Sequence, residues 1–413
     1  MVEKQDMYLN GKGITKIKTV ASQKQMENYR DLDYYKDVVY QCGKCGTCRT
    51  AYHEHGWERV CPSGEYGKFE AYYLGGKNLL TWGLTSGKLN WSEKMVEIFY
   101  SCSLCHACIQ QCQIPEIHNY AGEWLMAMRE EAVKQGKAPM PEHKQYTEHI
   151  INGNNPYFED HEDRLNWLPD GIKLDPKAEI AYFVGCTSSY REQGIARATA
   201  EILNVLNIKF QVLKDEHCCG SPVFMTGQTD DAIKIAETNV DTFKKAGIKK
   251  IITSCAGCYR MWKEVYPKKF KLDHGIEIVH LPEFLLNGNG RELINFKNEI
   301  NIKLSYHDPC HLGRHMGMYE TPRELLKKIP GIELVEMDRN RENAWCCGSG
   351  GGVRSAFKEL SEFAAMERLK EAKNTGAEAL VSSCPFCMNQ FKSNNKDSEI
   401  KVFDLSELVR KAI

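Results

Sequence analysis

The sequence predicts an α+β multidomain chain: a mostly α-helical N-terminal part, then two duplicated α/β domains with parallel sheets. Three observations carry this. All 18 cysteines of the 413 residues sort without remainder into four groups. The third and fourth groups repeat one another together with their surroundings. From about residue 178 onward, apolar runs of strand length alternate with amphipathic stretches of helix length; before it they do not.

The N-terminal part holds the first two groups: Cys42, Cys45, Cys48 and Cys61, then Cys102, Cys105, Cys108 and Cys112. Short helices are expected around them, with a longer one over about Glu116 to Lys134. Residues 1–35 read as an N-terminal arm and residues 36–135 as the domain carrying both groups. Residues 136–177 read as a linker, with Trp167 and Leu168 pinned to a domain surface.

Cys186, Cys218, Cys219, Cys255 and Cys258 belong to residues 178–300, and Cys310, Cys346, Cys347, Cys384 and Cys387 to residues 301–413. Each copy reads Cys, a gap, Cys-Cys-Gly-Ser, a second gap, Cys-x-x-Cys. The first gap is 31 or 35 residues, the second 35 or 36, and matching cysteines lie 124 to 129 residues apart. That is a duplicated domain, not a solenoid. In the first copy "EIAYFV", "FQVL" and "KKIITS" are expected strands. Its helices run from Arg191 to Leu206 and from Asp230 to Lys245, the latter stopping at Gly247. In the second, "IKLSYH", "IELVEM" and "EALVSS" are strands. Thr321-Pro322 opens one helix, and "GVRSAFKELSEFAAMERLKEAKNTG" is a longer one ending at Gly376. The cysteines then fall at strand C-terminal ends, where open parallel sheets bind ligands.

A net charge of −1, with 42% apolar and 26% charged residues, favours neither nucleic acid nor an anionic membrane surface. No apolar run reaches about 18 residues, and the start has no apolar stretch of signal-peptide type. The expectation is a cytoplasmic protein, able to dock peripherally on a membrane through a partner. There, so many cysteines mean metal or redox centres rather than disulfides.

Cys-x2-Cys-x2-Cys-x3-Cys, at Cys102 to Cys112, is the bacterial ferredoxin run. Three of its thiolates clasp one [4Fe-4S] cube and the fourth ligates the other cluster. By that crossing, Cys42, Cys45 and Cys48 pair with Cys112, and Cys102, Cys105 and Cys108 with Cys61. The motifs depart from the pattern in the 12-residue gap before Cys61 and in Gln113, where proline is usual. Zinc also takes Cys-x2-Cys, but seldom at two consecutive spacings twice over. The N-terminal part is therefore expected to be a ferredoxin-like 2×[4Fe-4S] domain.

The adjacent cysteines need another arrangement. Five thiolates exceed the four corners of a cube. Two neighbours can serve one cluster if it is expanded and non-cubic, or if one sulfur bridges two irons. The small residues of "CCGSP" and "CCGSGGG" would let backbone N–H groups approach the inorganic sulfides. The glycine run lacks the Lys-Ser/Thr ending of a phosphate loop, and no dinucleotide fingerprint follows a strand.

The five-cysteine repeat resembles the Cys-Cys-Gly domain found in the B and D components of heterodisulfide reductase. Two ferredoxin-type motifs followed by two such repeats resemble the D component, a fusion of C-like and B-like parts, over about residues 36 to 413. The resemblance implies two non-cubane [4Fe-4S] clusters facing each other across the substrate and fed by two cubane [4Fe-4S] clusters. A disulfide is cleaved between them, with Cys186 and Cys310 at the reacting site, in oxygen-labile chemistry suited to an anaerobic host. It also implies a small thiol or disulfide substrate and a protein partner: a flavoprotein, a ferredoxin or a membrane cytochrome. Relatives that serve only in electron transfer, for flavin dehydrogenases, quinone-linked membrane complexes or a benzoyl-CoA-reducing assembly, supply a second reading. A zinc-stabilised interaction module is a third.

His311, directly after Cys310, is a candidate acid for a departing thiolate; the alternative is a hydrogen bond to cluster or backbone. Its counterpart in the first copy is Thr187. His307 and Asp308 are expected to shape the turn into Cys310, His217 to support Cys218, and His106 to face solvent or cap a cluster edge. Arg314 and Arg354 are candidates for gripping an anionic substrate, or ordinary surface arginines.

Overall fold

The computed structural model describes residues 7–10, 13–16, 32–53, 56–287, 290, 294–395 and 400–413. The arm expected over residues 1–35 falls largely outside them; a hairpin, β1 (Met7–Asn10) and β2 (Gly13–Lys16), and the turn Leu32–Tyr35 are what is described. The N-terminal part is mainly short helices, with one antiparallel hairpin, β3 (Thr50–His53) and β4 (Gly56–Arg59), after Cys48. Its long helix spans Pro115–Lys134; Pro115 suits a first helical turn, where an N–H would have no partner. Residues expected as linker form a further helix, Pro141–Gly153, and bury Trp167 completely.

Each repeat is built on a parallel sheet. In the first, β5 (Ile180–Phe183), β6 (Lys250–Thr253) and β7 (Glu277–His280) lie in that order. In the second, β8 (Ile302–Tyr306), β9 (Ile332–Leu334), β10 (Ala379–Ser382) and β11 (Lys401–Asp404) are ordered β11-β10-β8-β9, all parallel. The orders match when β5 is set on β8, β6 on β10 and β7 on β11.

Three expectations are corrected. "FQVL" is not a strand; it makes a single parallel bridge, Ala181 to Gln211, through two backbone bonds of 2.9 Å, while the Gln211 side chain donates to the carbonyls of Ala178 (2.6 Å) and Ala246 (3.2 Å). Strands β7 and β11 were not foreseen. The long second-copy helix is broken at Phe357, between Val353–Ala356 and Lys358–Asn374.

The two sheets share a core. Tyr182, Val184, Ile252 and Val279 pack in one cluster with Leu304, Tyr306, Val381 and Leu405. Helix Gln193–Val205 of the first copy lies on helix Leu405–Ala412 of the second, and Arg410 reaches Glu201 at 2.6 Å. The other side of the first sheet, through Phe183 and Ile251, packs into a cluster with Leu125 and Met128 of the N-terminal helix. Arg129, fully buried on that helix, ties the parts together: its guanidinium donates to carbonyls of Met225 (2.6 Å), Gly351 (2.8 Å), Phe99 (2.9 Å) and Cys102 (2.5 Å).

Candidate iron–sulfur sites

The four cysteine groups reach their places by different local devices. Cys186, Cys255, Cys310 and Cys384 each lie two to four residues beyond the ends of β5, β6, β8 and β10. Cys255 and Cys384 then cap the helices Ala256–Arg260 and Pro385–Asn394. The turn into Cys186 is shaped by Glu216, whose carboxylate accepts the N–H groups of Val184 and Gly185 at 2.8 Å and is itself held by buried Arg164. In the second copy Asp308 does the equivalent work. Arg323 grips it at 2.6 and 2.9 Å, and it accepts the Arg341 N–H at 2.9 Å.

The glycine after each cysteine pair has a conformational reason. Gly220 and Gly348 have φ of +75° and +85°, the left-handed region that a side chain resists. A Cβ at Gly348 would also meet Ala364 at 2.6 Å. This tight reversal turns the chain sharply away after each pair.

Both repeats open onto one cavity of about 560 Å³. Nine of the ten repeat cysteines line it: Cys186, Cys218, Cys219, Cys255, Cys258, Cys310, Cys347, Cys384 and Cys387. Within each copy the sulfurs touch: Cys258 lies 3.5 Å from Cys219, and Cys387 lies 3.3 Å from Cys347. Cys255 and Cys384 meet across the two copies. Cys346 is the exception. Its sulfur is in hydrogen-bond contact with Cys310 and Cys347 of its own copy and with Cys105 of the N-terminal part, and lies 3.5 Å from the Ser103 hydroxyl.

The N-terminal cysteines gather in two sets. Cys42, Cys45, Cys48 and Cys112 line a cavity of about 220 Å³, and Cys45 is exposed. Cys61, Cys102, Cys105 and Cys108 surround a void of about 20 Å³. The Cys48 charge is felt at Cys108, so the two sets are neighbours.

The thiols shift one another. Neighbouring S–H groups donate to Cys347 and Cys255 and push them well below the usual thiol range; their donors Cys346, Cys387 and Cys258 are pushed up. Cys105 falls to about 5 by the same cause, and burial lifts Cys61 to about 12. Such crowding of soft donors suits thiophilic metal, whose binding releases the shared protons. Two sets of five thiols, nine of the ten around one space, beside two sets of four, fit iron–sulfur clusters and leave no ordinary packing role for so many sulfurs.

Among the other candidates, His311 lines the cavity, and enclosure together with the nearby Arg260 charge pushes it down to about 3. His307 accepts from Arg368 at 3.1 Å, and a ring nitrogen lies within 4.8 Å of the Cys347 and Cys387 sulfurs. Arg354 lines the cavity, with one buried nitrogen unpartnered. Arg314 does not; it donates to the Cys105 carbonyl at 2.6 Å. His217 sits apart, its ring against His161. His106 lies beside the Cys61, Cys102, Cys105 and Cys108 set, its ring tilted by 36° against that of His315 with centroids 3.9 Å apart. Arg191, Arg260 and His315 were not singled out in the sequence; each stands outside any spacing pattern.

A cysteine-rich domain family (CCG) matches residues 180–263 and again 304–392. The D component of dihydromethanophenazine:CoB–CoM heterodisulfide reductase from Methanosarcina mazei is 39% identical over 78% of this chain and 79% of its own. The B component of the CoM/CoB fumarate reductase from Methanothermobacter marburgensis is 30% identical over 76% of this chain and 61% of its own. A solved structure of a hypothetical protein from Helicobacter pylori shares the fold at TM-score 0.53, with 11% identity, covering 82% of this chain and 68% of that one. The chain belongs to the family of heterodisulfide reductase D components. It is an iron–sulfur oxidoreductase, and its relatives are parts of larger assemblies. No helix among the described residues is long and apolar enough to cross a membrane.

Proposed function

We propose that the chain reduces a disulfide, or in reverse oxidises two thiols, in the cavity between the two five-cysteine sites: RS–SR′ + 2e⁻ + 2H⁺ gives RSH + R′SH. The observation that carries this is the single cavity lined by cysteines of both repeats. The ligand sets suit two non-cubane [4Fe-4S] clusters there and two cubane [4Fe-4S] clusters in the N-terminal part. When bound, these would supply electrons singly and iron with affinity for sulfur. The chain's own residues bind and position the substrate. Arg354 on the cavity wall, whose buried Nη1 has no partner, gives an acidic substituent of a mixed disulfide its grip, with Arg191 nearby already paired to Glu159 at 2.6 Å. His311 lines the cavity beside Cys310 as the candidate acid for a departing thiolate; enclosure and the Arg260 charge keep it neutral at rest, so the proton would have to arrive with the developing thiolate charge.

Electrons come from, or go to, a protein partner: a flavoprotein, ferredoxin or membrane cytochrome. Exposed Cys45 marks the outermost cluster site, and Cys105 touching Cys346 marks the inner transfer point.

Adding a heterodisulfide to the reduced, anaerobically purified protein tests the reading by paramagnetic resonance. A new paramagnetic state on thiol binding is expected. An unchanged spectrum supports the alternative, an electron relay without sulfur chemistry. His311→Asn should lower turnover and reshape its pH profile; unchanged values remove the acid role.

A further inference from the structure

A second cavity, about 820 Å³, reaches the segment that follows Cys310 and His311, at Arg314 and His315. Helix Pro115–Lys134, the start of helix Thr229–Lys245 and the π-helical segment Met261–Lys269 form its walls. No cysteine lines it. Its inner end is cationic and imidazole-rich: Arg260, Arg314, His106 and His315.

The arginines are the informative residues. Each is 8% exposed. Arg314 commits Nε to the Cys105 carbonyl at 2.6 Å and Nη1 to the Ala344 carbonyl at 2.6 Å, and its buried Nη2 has no partner. Arg260 offers Nη1 only to the Met225 sulfur, a weak acceptor at 3.5 Å, and its buried Nε has none. Neither makes an ion pair among the described residues. A buried guanidinium ordinarily has a counter-ion and filled donors. Five carboxylates line the cleft: Glu123 pairs with Lys269 at 2.7 Å, Asp231 with Lys234 at 3.0 Å, Glu130 accepts from Thr229, and Asp230 and Glu264 complete the set. The negative charges felt at Arg260 are Glu264 and Cys310, and those at Arg314 the thiolates of Cys105, Cys310 and Cys346; none of them fills the unpartnered Nε or Nη2. Gly122 lets the His106 ring pack directly against helix Pro115–Lys134, because a Cβ there would meet that ring at 2.6 Å. A helix interior carries glycine at a cost, and close approach of a neighbouring ring is a reason to accept it.

We propose that this cleft binds the oxyanion of a small molecule, a phosphate or carboxylate group, against Arg260 and Arg314. Guanidinium forks recognise such groups by paired charged hydrogen bonds. Arg260 is close enough to feel the Cys310 charge, and the His315 ring lies 4.9 Å from that of His311. Occupancy of the cleft is thereby placed to report to the second five-cysteine site. The ligand is either a free inorganic anion acting as an effector or the acidic end of an organic molecule.

The full-length holoprotein, handled anaerobically, is titrated calorimetrically with inorganic phosphate and, as models of an organic end group, methylphosphonate and acetate. Saturable binding of at least one is expected; phosphate tightest indicates a free effector, methylphosphonate or acetate tightest an organic end group. Arg260→Gln should weaken binding roughly ten- to a hundredfold, the range for losing a charged hydrogen bond. Arg354→Gln removes the grip proposed for the other cavity and so separates the two sites: the binding that survives it and is weakened by Arg260→Gln belongs to this cleft. Iron content of each sample is read alongside, so collapse of the clusters is distinguished from loss of the anion. Three outcomes overturn the proposal: no saturable binding, loss with Arg354→Gln but not Arg260→Gln, or Arg260→Gln altering only the cluster spectra.

Discussion

Cys346 and Cys347 are neighbours in sequence and in hydrogen-bond contact, yet their remaining partners differ. Cys347 joins Cys387 at the cavity; Cys346 turns to Cys105 and Ser103. The left-handed Gly348 turns the chain sharply away after the pair, against Ala364 and Ser361. A paired cysteine therefore lets one five-thiol set reach both the shared cavity and the N-terminal cysteines. Cys347→Ala should lose about four of roughly 16 iron atoms per chain while the cubane signals persist; full iron retention would show that Cys347 ligates nothing. These residues were legible because ligand spacing repeats. Arg260, His315 and Arg191 were not, because one side chain acting through a tertiary contact leaves no periodic trace.

At the scale of elements, the strands leading to cysteines were legible as apolar runs, whereas β7 and β11 were missed. Their signal was present: "EIVHLPEFLL" and "KVFDLSELVR" extend the repeat, with His280 standing where Asp404 stands. Both are four-residue strands and half polar, so hydrophobicity alone did not declare them. Asp404 caps helix Leu405–Ala412 through Ser406 at 2.9 Å, and burial pushes its carboxyl up to about 8 from 3.8. Between about pH 4 and 8 the folded chain holds a proton that the unfolded chain has released, so stability falls as pH rises through that window. Asp404→Asn keeps the cap and removes this slope. Its melting temperature should gain on the parent progressively from pH 4 to 8; a constant difference would contradict the buried, protonated carboxyl.

For the whole molecule, duplication was legible in the cysteine pattern, but the packing of the two copies into one body was not. That depends on Tyr182, Tyr306 and their neighbours meeting between sheets, and a sequence repeat fixes neither the angle nor the distance between its copies. Nor did the sequence disclose Arg129, which holds carbonyls from the N-terminal part and from both repeats. Replacing it by methionine leaves those carbonyls buried and unpaired. Arg129→Met should cost about 3 kcal/mol or more in denaturant unfolding, and a cost near zero would mean that the parts cohere without it.

The central claim is that two five-thiolate sites hold iron–sulfur centres facing one shared space. Diffraction from anaerobic crystals of the holoprotein, recorded at the iron absorption edge, tests it most directly. The account predicts four iron centres, two of them non-cubic and on opposite walls of the cavity lined by Cys186 and Cys310. Iron confined to the N-terminal sites, or a cavity with iron on one wall alone, would contradict it.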